Sequence, residues 1–336
     1  MKKPDVSYDS LRHRIYNINA NDFEGVAMEV YKCQFARNPL YQQFCSLTGR
    51  HPDRVQSFRE IPFLPISLFK DHEVKCGDWK ATRVFRSSGT TGIQRSHHSV
   101  RDLDWYHRIA ELGFQAAFGP AADWIWVGLL PSYLDRPDSS LVDMIHSFML
   151  AGGHQENRFF PDTGTEVIKH LQRLMDDDRK VVLVGVTFAL LDLFDAFEVP
   201  VWDNLLVMET GGMKGRGVEL TRDEVYEQIR KRHDDLHLVS EYGMTELLSQ
   251  AYRIRNRFYP SPQMKVLVRD LTDPFRILED YQRGAINVVD LANLDTCSFV
   301  ATDDVGITLP EGTFDVLGRM DNSDLRGCNL MYVSAS

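Results

Sequence analysis

Three apolar segments decide the fold of this chain: "KVVLVGV" at 180–186, "NLLVMETGG" at 204–212 and "LHLVSEYG" at 236–243. Short apolar runs bounded by polar residues and glycine are typical of buried β-strands. A helix, "RDEVYEQIRKRH" at 222–233, is predicted between the second strand and the third. This alternation of strand and helix predicts the α/β class, with a mainly parallel sheet and helices on both of its faces.

The alternation continues on both sides of these segments. A strand is predicted at 122–131, a helix begins at the hydroxyl cap Ser139–Ser140, and an amphipathic helix follows at 163–179. The strand "LHLVSEYG" is predicted to lead through a turn into another helix, "MTELLSQA" at 244–251. Beyond residue 262 the pattern changes to β-hairpins, so the carboxyl-terminal part is predicted to be β-rich.

The amino-terminal region has a different pattern. Residues 1–80 are predicted to form a helical segment packed on the core, and residues 81–336 are predicted to form the α/β core itself. The segment "IPFLPISLFK" at 61–70 is apolar but contains two prolines. Proline cannot donate a hydrogen bond to a neighbouring strand, so an extended buried segment is predicted there rather than a central strand.

Composition and charge exclude several classes of protein. Hydrophobic residues make up 43% of the chain and charged residues 26%, which is ordinary for a soluble globular protein. No apolar run is long enough for a membrane span, and no signal peptide is expected. The five cysteines include no CxxC pair, which favours reduced thiols and a cytoplasmic location. The net charge of −10 disfavours nucleic acid as a partner.

Four polar loops are predicted at strand ends, where α/β sheets bind their ligands. The first loop lies in "VFRSSGTTGIQRSHHSV" at 84–100 and lacks the G-K-[ST] ending of a Walker A loop. Its backbone N–H groups and hydroxyls suit phosphate oxygens, although a polar surface turn explains the same composition. The candidate phosphate-binding residues are Ser87, Ser88, Gly89, Thr90, Thr91 and Gly92.

The second loop is "METGGMKGRG" at 208–217, at the end of a predicted strand. Gly211 and Gly212 have no side chains, so a flat ring such as adenine could lie directly against the backbone there. A glycine-rich turn from strand to helix is the structural alternative, and considered alone it explains the pattern well.

The third loop is "SEYGMTELLSQ" at 240–250. Tyr242 and Gly243 form a predicted turn, after which Thr245 and Glu246 are expected to begin a helix. A hydroxyl and a carboxylate at that position would suit Mg²⁺ and an α-phosphate. The alternative is a capping box, in which the same two residue types stabilise a helix start without any role in binding.

The fourth loop combines "FVATDDVGI" at 299–307 with "LGRMDNSDLRGCN" at 317–329. Asp303 is expected to follow a strand and to accept hydrogen bonds from both hydroxyls of a ribose. Arg319 would supply the opposite charge, and Asp304 is expected to face solvent. Two ordinary surface turns are the alternative.

In this order, "SSGTTG", "TGG", "YGMTE", "TDD" and "GRMD" resemble the motif series of the adenylate-forming (acyl-AMP ligase) superfamily. The resemblance spans residues 87–328 and implies, respectively, a phosphate loop, an adenine-side turn, an adenine and magnesium motif, a ribose motif and an Arg–hinge-Asp motif. It also implies the large N-terminal domain of the adenylate-forming fold, with ATP and Mg²⁺ as cofactors.

A narrower resemblance is carried by "IPFLPISLFK", "LLPSYLDRPDSSLVDM" and "ETGGMKGRG". These segments resemble the acyl-protein synthetases, which activate the fatty acid in the bacterial-bioluminescence fatty-acid reductase complex. The segment "RGCNLMY" at 326–332 resembles the hinge of phenylacetate-CoA ligase-like enzymes. Members of the wider superfamily continue into a small C-terminal domain with a catalytic lysine, which is expected to be absent here, and Lys214 is the nearest substitute by analogy.

The last cysteine is the candidate acyl acceptor. In the acyl-protein synthetases a cysteine close to the C-terminus takes the acyl group as a thioester, and Cys328 matches it in position. Arg326 lies two residues before it, and a nearby guanidinium favours the thiolate that attacks an acyl-adenylate. A small buried cysteine without a chemical role is the alternative.

Together these features predict an ATP-dependent acid–thiol ligase that activates a carboxylic acid, in particular a fatty acid. The acyl group would pass to Cys328 and then to an acyl-receiving reductase or carrier protein. Two alternatives stay open: a ligase that uses coenzyme A or a carrier as the acceptor, and a non-catalytic nucleotide-binding subunit. A serine hydrolase is disfavoured because the chain has no G-x-S-x-G elbow.

Overall fold

The computed structural model describes residues 8–88, 94–131, 138–211, 220–231 and 236–320. The α-helices of this part are α1 (Tyr8–Tyr16), α2 (Phe23–Arg37), α3 (Pro39–Leu47), α4 (Leu68–Asp71), α5 (Leu103–Phe118), α6 (Ser140–Gly152), α7 (Thr165–Asp176), α8 (Thr187–Ala196) and α9 (Arg222–Arg230). The strands are β1 (Leu64–Pro65), β2 (Arg83–Arg86), β3 (His97–Val100), β4 (Ile125–Leu129), β5 (Arg158–Phe160), β6 (Val181–Val186), β7 (Leu205–Thr210), β8 (His237–Tyr242), β9 (Ala251–Ile254), β10 (Arg257–Pro260), β11 (Met264–Arg269), β12 (Gly284–Asp290), β13 (Phe299–Thr308) and β14 (Phe314–Arg319).

Among the described residues, twelve strands form one mixed sheet in the order β11-β12-β13-β14-β10-β9-β8-β7-β6-β4-β5, with β1 paired to β13. Strands β4 to β8 pair with one another in parallel, as predicted. From β9 onward every pairing along this order is antiparallel, which confirms the predicted hairpins. The two halves meet where β8 pairs with β9, and the carboxyl ends of β7 and β8 lie side by side close to that junction.

Helices cover both faces of the parallel half. Along β7 the side chains alternate between two hydrophobic clusters, with Leu206 and Met208 in one and Leu205 and Val207 in the other. The first cluster includes residues of α5 and α6, and the second includes residues of α7, α8 and α9. Because side chains of a strand point alternately to opposite faces, this pattern confirms the predicted helix layers on both sides.

The amino-terminal segment packs directly on the antiparallel half. Strand β1 pairs in parallel with β13, and the Tyr41 ring stacks on Phe299 with centroids 6.1 Å apart. The Tyr41 hydroxyl donates to the Pro62 carbonyl at 2.6 Å. Residues 61–64 are buried, which confirms the extended buried segment, and helix α4 follows it. The division into residues 1–80 and 81–336 stays a prediction.

The helix predicted at 244–251 is wrong. Residues 243–250 form turns and irregular backbone, and strand β9 begins at Ala251. The reason lies in a side chain at the end of β12: Asp290 accepts hydrogen bonds from the backbone N–H groups of Leu248 and Ser249, at 2.7 and 3.0 Å. Backbone groups that a helix would pair internally are therefore already satisfied by a distant part of the chain.

Within the described ranges, no helix combines the length and the apolar composition needed to cross a bilayer.

Candidate functional site

The first predicted loop joins the two strands of an antiparallel ribbon. In the described part of the chain, strands β2 and β3 pair only with each other. The expectation that this loop follows a strand of the parallel sheet is therefore wrong. The base of the loop is closed by two hydrogen bonds, Ser87 N–H to the Ser96 carbonyl and Ser96 N–H to the Ser87 hydroxyl, each 3.0 Å. Ser88 is exposed beside them. The remaining candidates of this loop lie outside the described residues, namely Gly89, Thr90, Thr91 and Gly92.

The ribbon contacts residues 243–250 of the third loop, which we call the Glu246 turn. The Ser96 hydroxyl hydrogen-bonds to the Glu246 carboxylate. His98, on β3, donates from Nδ1 to the Thr245 carbonyl at 2.8 Å, and its Nε2 lies 3.1 Å from the Thr296 hydroxyl. A carbonyl can only accept, so Nδ1 carries the proton. Ser96 thus bonds both to Ser87 of "SSGTTG" and to Glu246 of "YGMTE", two motifs that are far apart in sequence.

Burial keeps the His98 ring neutral. The side chain is 1% exposed, and desolvation lowers its pKa to about 4. Desolvation disfavours the charged imidazolium, so the ring acts near neutral pH as a hydrogen-bonding brace between ribbon and turn. Sequence reasoning did not identify His98, since a histidine in "SHHSV" has no distinguishing pattern of its own.

Glu246 is buried but lies within range of positive charge. It is 5% exposed, and burial raises the pKa of its carboxyl group. The hydrogen bond from Ser96 and the charges of Arg319 and Lys70 act in the opposite direction. A divalent cation would further stabilise the carboxylate form, because opposite charge at short range offsets desolvation.

The described residues fit a magnesium ion that is held mainly by a nucleotide. They contain no group of three or more His, Cys, Asp or Glu side chains that could hold a metal ion. Mg²⁺ usually takes one or two protein carboxylates and completes its coordination with phosphate oxygens and water. A single carboxylate at Glu246, joined through Ser96 to the base of the predicted phosphate loop, is consistent with that arrangement.

In the fourth loop the burial of the two aspartates is the reverse of what was expected. Asp304, expected to face solvent, is the buried member of the pair, and Asp303 is exposed. The Tyr242 hydroxyl donates to the Asp304 carboxylate at 2.8 Å, and Arg319 Nε donates to its other oxygen at 3.3 Å. Both aspartates lie within β13 rather than after it, and side chains alternate along a strand. The position that faces Tyr242 and Arg319 is therefore Asp304.

The second loop follows β7 as predicted. Gly211 is exposed and has a φ of 78°, a left-handed conformation that favours glycine. Gly212 and Lys214 lie outside the described residues. Gly211 thus ends β7 beside the start of the Glu246 turn, at the edge of the sheet where the carboxyl ends of the parallel strands meet.

An acidic pair at the ends of β7 and β8 was missed by the sequence analysis. The Thr210 hydroxyl donates to Glu241, and the Thr187 hydroxyl donates to Glu209. Burial and the neighbouring Glu209 raise the pKa of Glu241 to about 7, although its hydrogen bond from Thr210 lowers it. A carboxyl group that changes charge near neutral pH lies directly before the predicted adenine motif.

Gly243 is required by this packing. A Cβ atom at Gly243 would lie 2.2 Å from a carboxylate oxygen of Glu241 and 3.3 Å from its carboxyl carbon. Any larger residue would displace the buried Glu241 side chain. The glycine of "YGMTE" therefore has a steric reason in this chain, independent of any ligand.

Contacts connect the described site residues into two sets. Contacts join Ser87 through Ser96 to Glu246, and a second set joins Tyr242, Asp304 and Arg319. The Arg319 charge acts on Glu246 and so relates the two sets. Asp303 faces away from this group in an exposed position. Cys328 lies outside the described residues, with Lys214, Gly212 and four residues of the phosphate loop.

No protein-family model matches the chain, and no curated protein matches it in sequence. Solved structures do match. An open conformation of 2-hydroxyisobutyryl-CoA ligase in complex with 2-HIB-AMP and CoA superposes with a TM-score of 0.66 at 12% identity, over 90% of this chain and 71% of that one.

Two further structures are similar at a lower TM-score of 0.51. The luciferase-like enzyme from the mealworm Zophobas morio is 17% identical over 74% of this chain and 60% of its own. The O-succinylbenzoate coenzyme A synthetase from Bacillus subtilis, in complex with ATP and magnesium ion, is 15% identical over 74% of this chain and 52% of its own. The chain thus spans less than two thirds of these two proteins. At such identities the likeness concerns the fold, and the described part of this chain has the adenylate-forming α/β fold that the motif series predicts.

Proposed function

We propose that this protein activates a carboxylic acid with ATP, forming an acyl-adenylate and releasing pyrophosphate. The observation that carries the proposal is the convergence of separate motifs: Ser96 and His98 of the phosphate-loop ribbon contact the turn that bears Glu246. A surface turn and a capping box, the alternatives for these two motifs, give no reason for that contact. The fold agrees, since similar structures contain ATP or an acyl-AMP.

The nucleotide would be held by residues from several elements. Glu246 would bind Mg²⁺, which when bound neutralises charge on the phosphates. Ser87, Ser88 and the rest of the loop through Gly92 would donate to the phosphate oxygens. Tyr242, Gly211 and Gly212 would face the adenine. The ribose hydroxyls would be bound by Arg319 and by Asp304, which replaces Asp303 in this role because it is the aspartate that contacts Arg319.

In the first step an oxygen of the acid's carboxylate attacks the α-phosphorus of ATP. A new P–O bond forms, the bond to the β-phosphate oxygen breaks, and pyrophosphate leaves with that electron pair. Preorganised donors stabilise the negative charge on the oxygens around the pentacovalent phosphorus, which is where such groups contribute most to the rate. Lys214 would add a positive charge near the same phosphates.

In the second step we propose that the Cys328 thiolate attacks the carbonyl carbon of the acyl-adenylate. A thioester forms and AMP leaves. Three of the other cysteines are poor nucleophiles, because burial raises the pKa of their thiols: Cys45, Cys76 and Cys297. The acyl group would then pass to a reductase or a carrier protein.

Coenzyme A is the second candidate acceptor. It is favoured by the similar structures, among them a CoA ligase in complex with both an acyl-AMP and CoA. The two acceptors make different predictions for Cys328, because a CoA ligase needs no thiol of its own.

The test of the first step is ATP–pyrophosphate exchange in the presence of a panel of carboxylic acids that includes fatty acids of increasing length. Exchange that depends on the acid supports the proposal. Retained ATP binding with no exchange for any acid would instead identify a non-catalytic nucleotide-binding subunit.

The test of the second step is Cys328→Ser. The variant should keep pyrophosphate exchange, since the thiol takes no part in adenylation, and should lose the acyl label that neutral hydroxylamine releases from the wild type. Cys33→Ser, a change at a half-buried cysteine, is the control and should keep the label. A fully labelled Cys328→Ser protein, or acyl transfer only when coenzyme A is added, would rule out self-acylation.

A further inference from the structure

Asp290, at the end of β12, collects five hydrogen bonds on one fully buried carboxylate. Two come from the Glu246 turn backbone, the N–H groups of Leu248 and Ser249, at 2.7 and 3.0 Å. The Ser249 hydroxyl donates at 2.6 Å. The Ala292 N–H and the Asn293 side-chain amide donate at 3.1 and 3.2 Å. Every described partner of this carboxylate is a donor, so an acceptor with two free oxygens is required at this position.

Asn293 extends the same contact to Glu246 itself. Its amide nitrogen donates to the Glu246 carbonyl at 2.9 Å as well as to Asp290. On the other side of the turn, His98 donates to the Thr245 carbonyl. Side chains from other elements therefore hold the backbone before, at and after Glu246.

The Glu246 turn has little support of its own. Its backbone makes neither helical nor strand pairing. Its described internal hydrogen bonds run from Leu247 N–H to the Met244 carbonyl and from the Gln250 side-chain amide to the Leu248 carbonyl, each at 3.1 Å. A side chain on such a segment is directed only as well as its external contacts allow. The contacts from Asp290 and Asn293 are the ones closest to Glu246 on its carboxyl-terminal side.

We propose that Asp290 is a positioning residue for the metal-binding carboxylate of Glu246. It contacts neither nucleotide nor metal, and it acts by fixing the backbone of the turn through Leu248, Ser249 and Asn293. The proposal rests on the proposed function only in assigning Mg²⁺ to Glu246. Groups that orient a metal ligand in this way commonly change metal affinity when they are altered.

The test is Asp290→Asn, which keeps the size of the side chain but turns an amide toward donors. The Mg²⁺ concentration that half-saturates pyrophosphate exchange should rise by about 10-fold or more, with the exchange rate largely restored at saturating Mg²⁺. ATP binding without Mg²⁺, measured by calorimetry, should stay unchanged. A variant that loses exchange at every Mg²⁺ concentration, or that keeps the wild-type Mg²⁺ dependence, would overturn the proposal.

Asp270→Asn is the matched control. Asp270 also caps a turn through backbone donors, Thr272 N–H at 2.8 Å and Asp273 N–H at 3.3 Å, but in the β11–β12 connection. This variant should leave the Mg²⁺ dependence unchanged, and an equal shift in it would show that Asp290 has no specific role.

A second variant covers the case in which Asp290→Asn does not fold. Asn293→Ala removes the amide that links Asp290 to the Glu246 carbonyl and leaves the other four hydrogen bonds to Asp290 in place. It should shift the Mg²⁺ dependence in the same direction by a smaller factor, and no shift would contradict the proposal.

The role of Asp290 can be tested even if the proposed acid activation fails. If the wild type activates no acid, calorimetric titration of ATP binding against Mg²⁺ still compares Asp290→Asn with the wild type. Binding that is independent of Mg²⁺ in the wild type would overturn the role of Asp290 as well.

Discussion

Two groups of carboxylates near the end of β8 have different electrostatic surroundings. In the first group Asp304 has the Arg319 guanidinium beside it, and the charge of Arg319 also acts on Glu246. In the second group Glu241 accepts from the Thr210 hydroxyl and is repelled by Glu209, with only a smaller opposing effect from Arg222. The first group has a guanidinium close to its carboxylates, which opposes the effect of burial on Glu246. The second favours an uncharged carboxyl group in the interior.

This difference separates two kinds of effect that substitutions at the site should have. Changes in the Glu246 and Asp304 group should alter nucleotide binding and exchange beyond any change in stability, to which Asp304→Ala adds the loss of an acceptor for the Tyr242 hydroxyl. Changes at Glu241 should alter the pH dependence of stability with little change in chemistry. The substitutions that follow test whether effects on chemistry and effects on stability are separate in this way.

The largest expected effect is that of Glu246→Gln. The substitution keeps the volume of the side chain and removes the one charge proposed to bind Mg²⁺, so exchange should fall by about 100-fold or more. Unlike Asp290→Asn, it should not be restored by saturating Mg²⁺, because the ligand itself is gone. The measurement is ATP–pyrophosphate exchange as a function of Mg²⁺, with the melting temperature as a check of folding.

Glu224→Gln is a suitable control for Glu246→Gln. Glu224 is exposed and caps helix α9 through the Thr221 N–H at 2.7 Å, away from the ribbon. Its substitution should leave exchange unchanged. An exchange rate of Glu246→Gln equal to that of the wild type at low Mg²⁺ would remove Glu246 from the site.

An intermediate effect is expected for Asp304→Ala. Loss of a charged acceptor of the ribose hydroxyls should weaken ATP binding by ~1.5–3 kcal/mol, or roughly 10- to 150-fold. Asp303→Ala is the neighbouring control and should have a much smaller effect, because that side chain is exposed and lies away from Tyr242 and Arg319. Calorimetric titration of ATP into both variants makes the comparison, and the reverse order would restore the assignment to Asp303.

The parts of the fold that were predicted correctly depend on local patterns. The buried runs of β6 and β7 and the helix that begins after the Ser139 cap can each be recognised within about a dozen residues. The Glu246 turn could not be predicted in this way. Its conformation is decided by Asp290 and Asn293, which are more than 40 residues away in sequence.

Within the site, the sequence predicts which residue types are present better than it predicts the direction in which each side chain points. The motif series brought Tyr242, Glu246 and Arg319 to one region, but the choice between Asp303 and Asp304 required the direction of each side chain on β13. Two adjacent aspartates in a strand point to opposite faces, and nothing in "TDD" states which face is buried. The Glu241–Thr210 pair was missed because both residues lie inside strands that had been recognised only by their apolar neighbours.

The smallest effect on activity is expected for Glu241→Gln, whose main effect should be on stability. The folded-state pKa of Glu241 is raised from 4.5 to about 7, chiefly by burial. Above pH 7 the carboxylate is ionised in both the folded and the unfolded chain, so the folded protein bears the whole cost of burying the charge. As the pH falls from 7 to 4.5 the folded protein holds a proton that the unfolded chain still lacks, so this cost shrinks steadily and is gone only below pH 4.5. Because each pKa unit corresponds to about 1.4 kcal/mol, the cost above pH 7 is on the order of 3 kcal/mol at most. Glutamine never ionises and can still accept from Thr210, so the variant should melt a few degrees higher than the wild type at pH 8, with a much smaller difference at pH 5. Glu227→Gln, on the exposed face of α9, should show no such difference between the two pH values. If Glu241→Gln instead lowers the melting temperature equally at both pH values, Glu241 is held as an ion. The proposed difference between Glu241 and the Glu246 and Asp304 group would then be wrong.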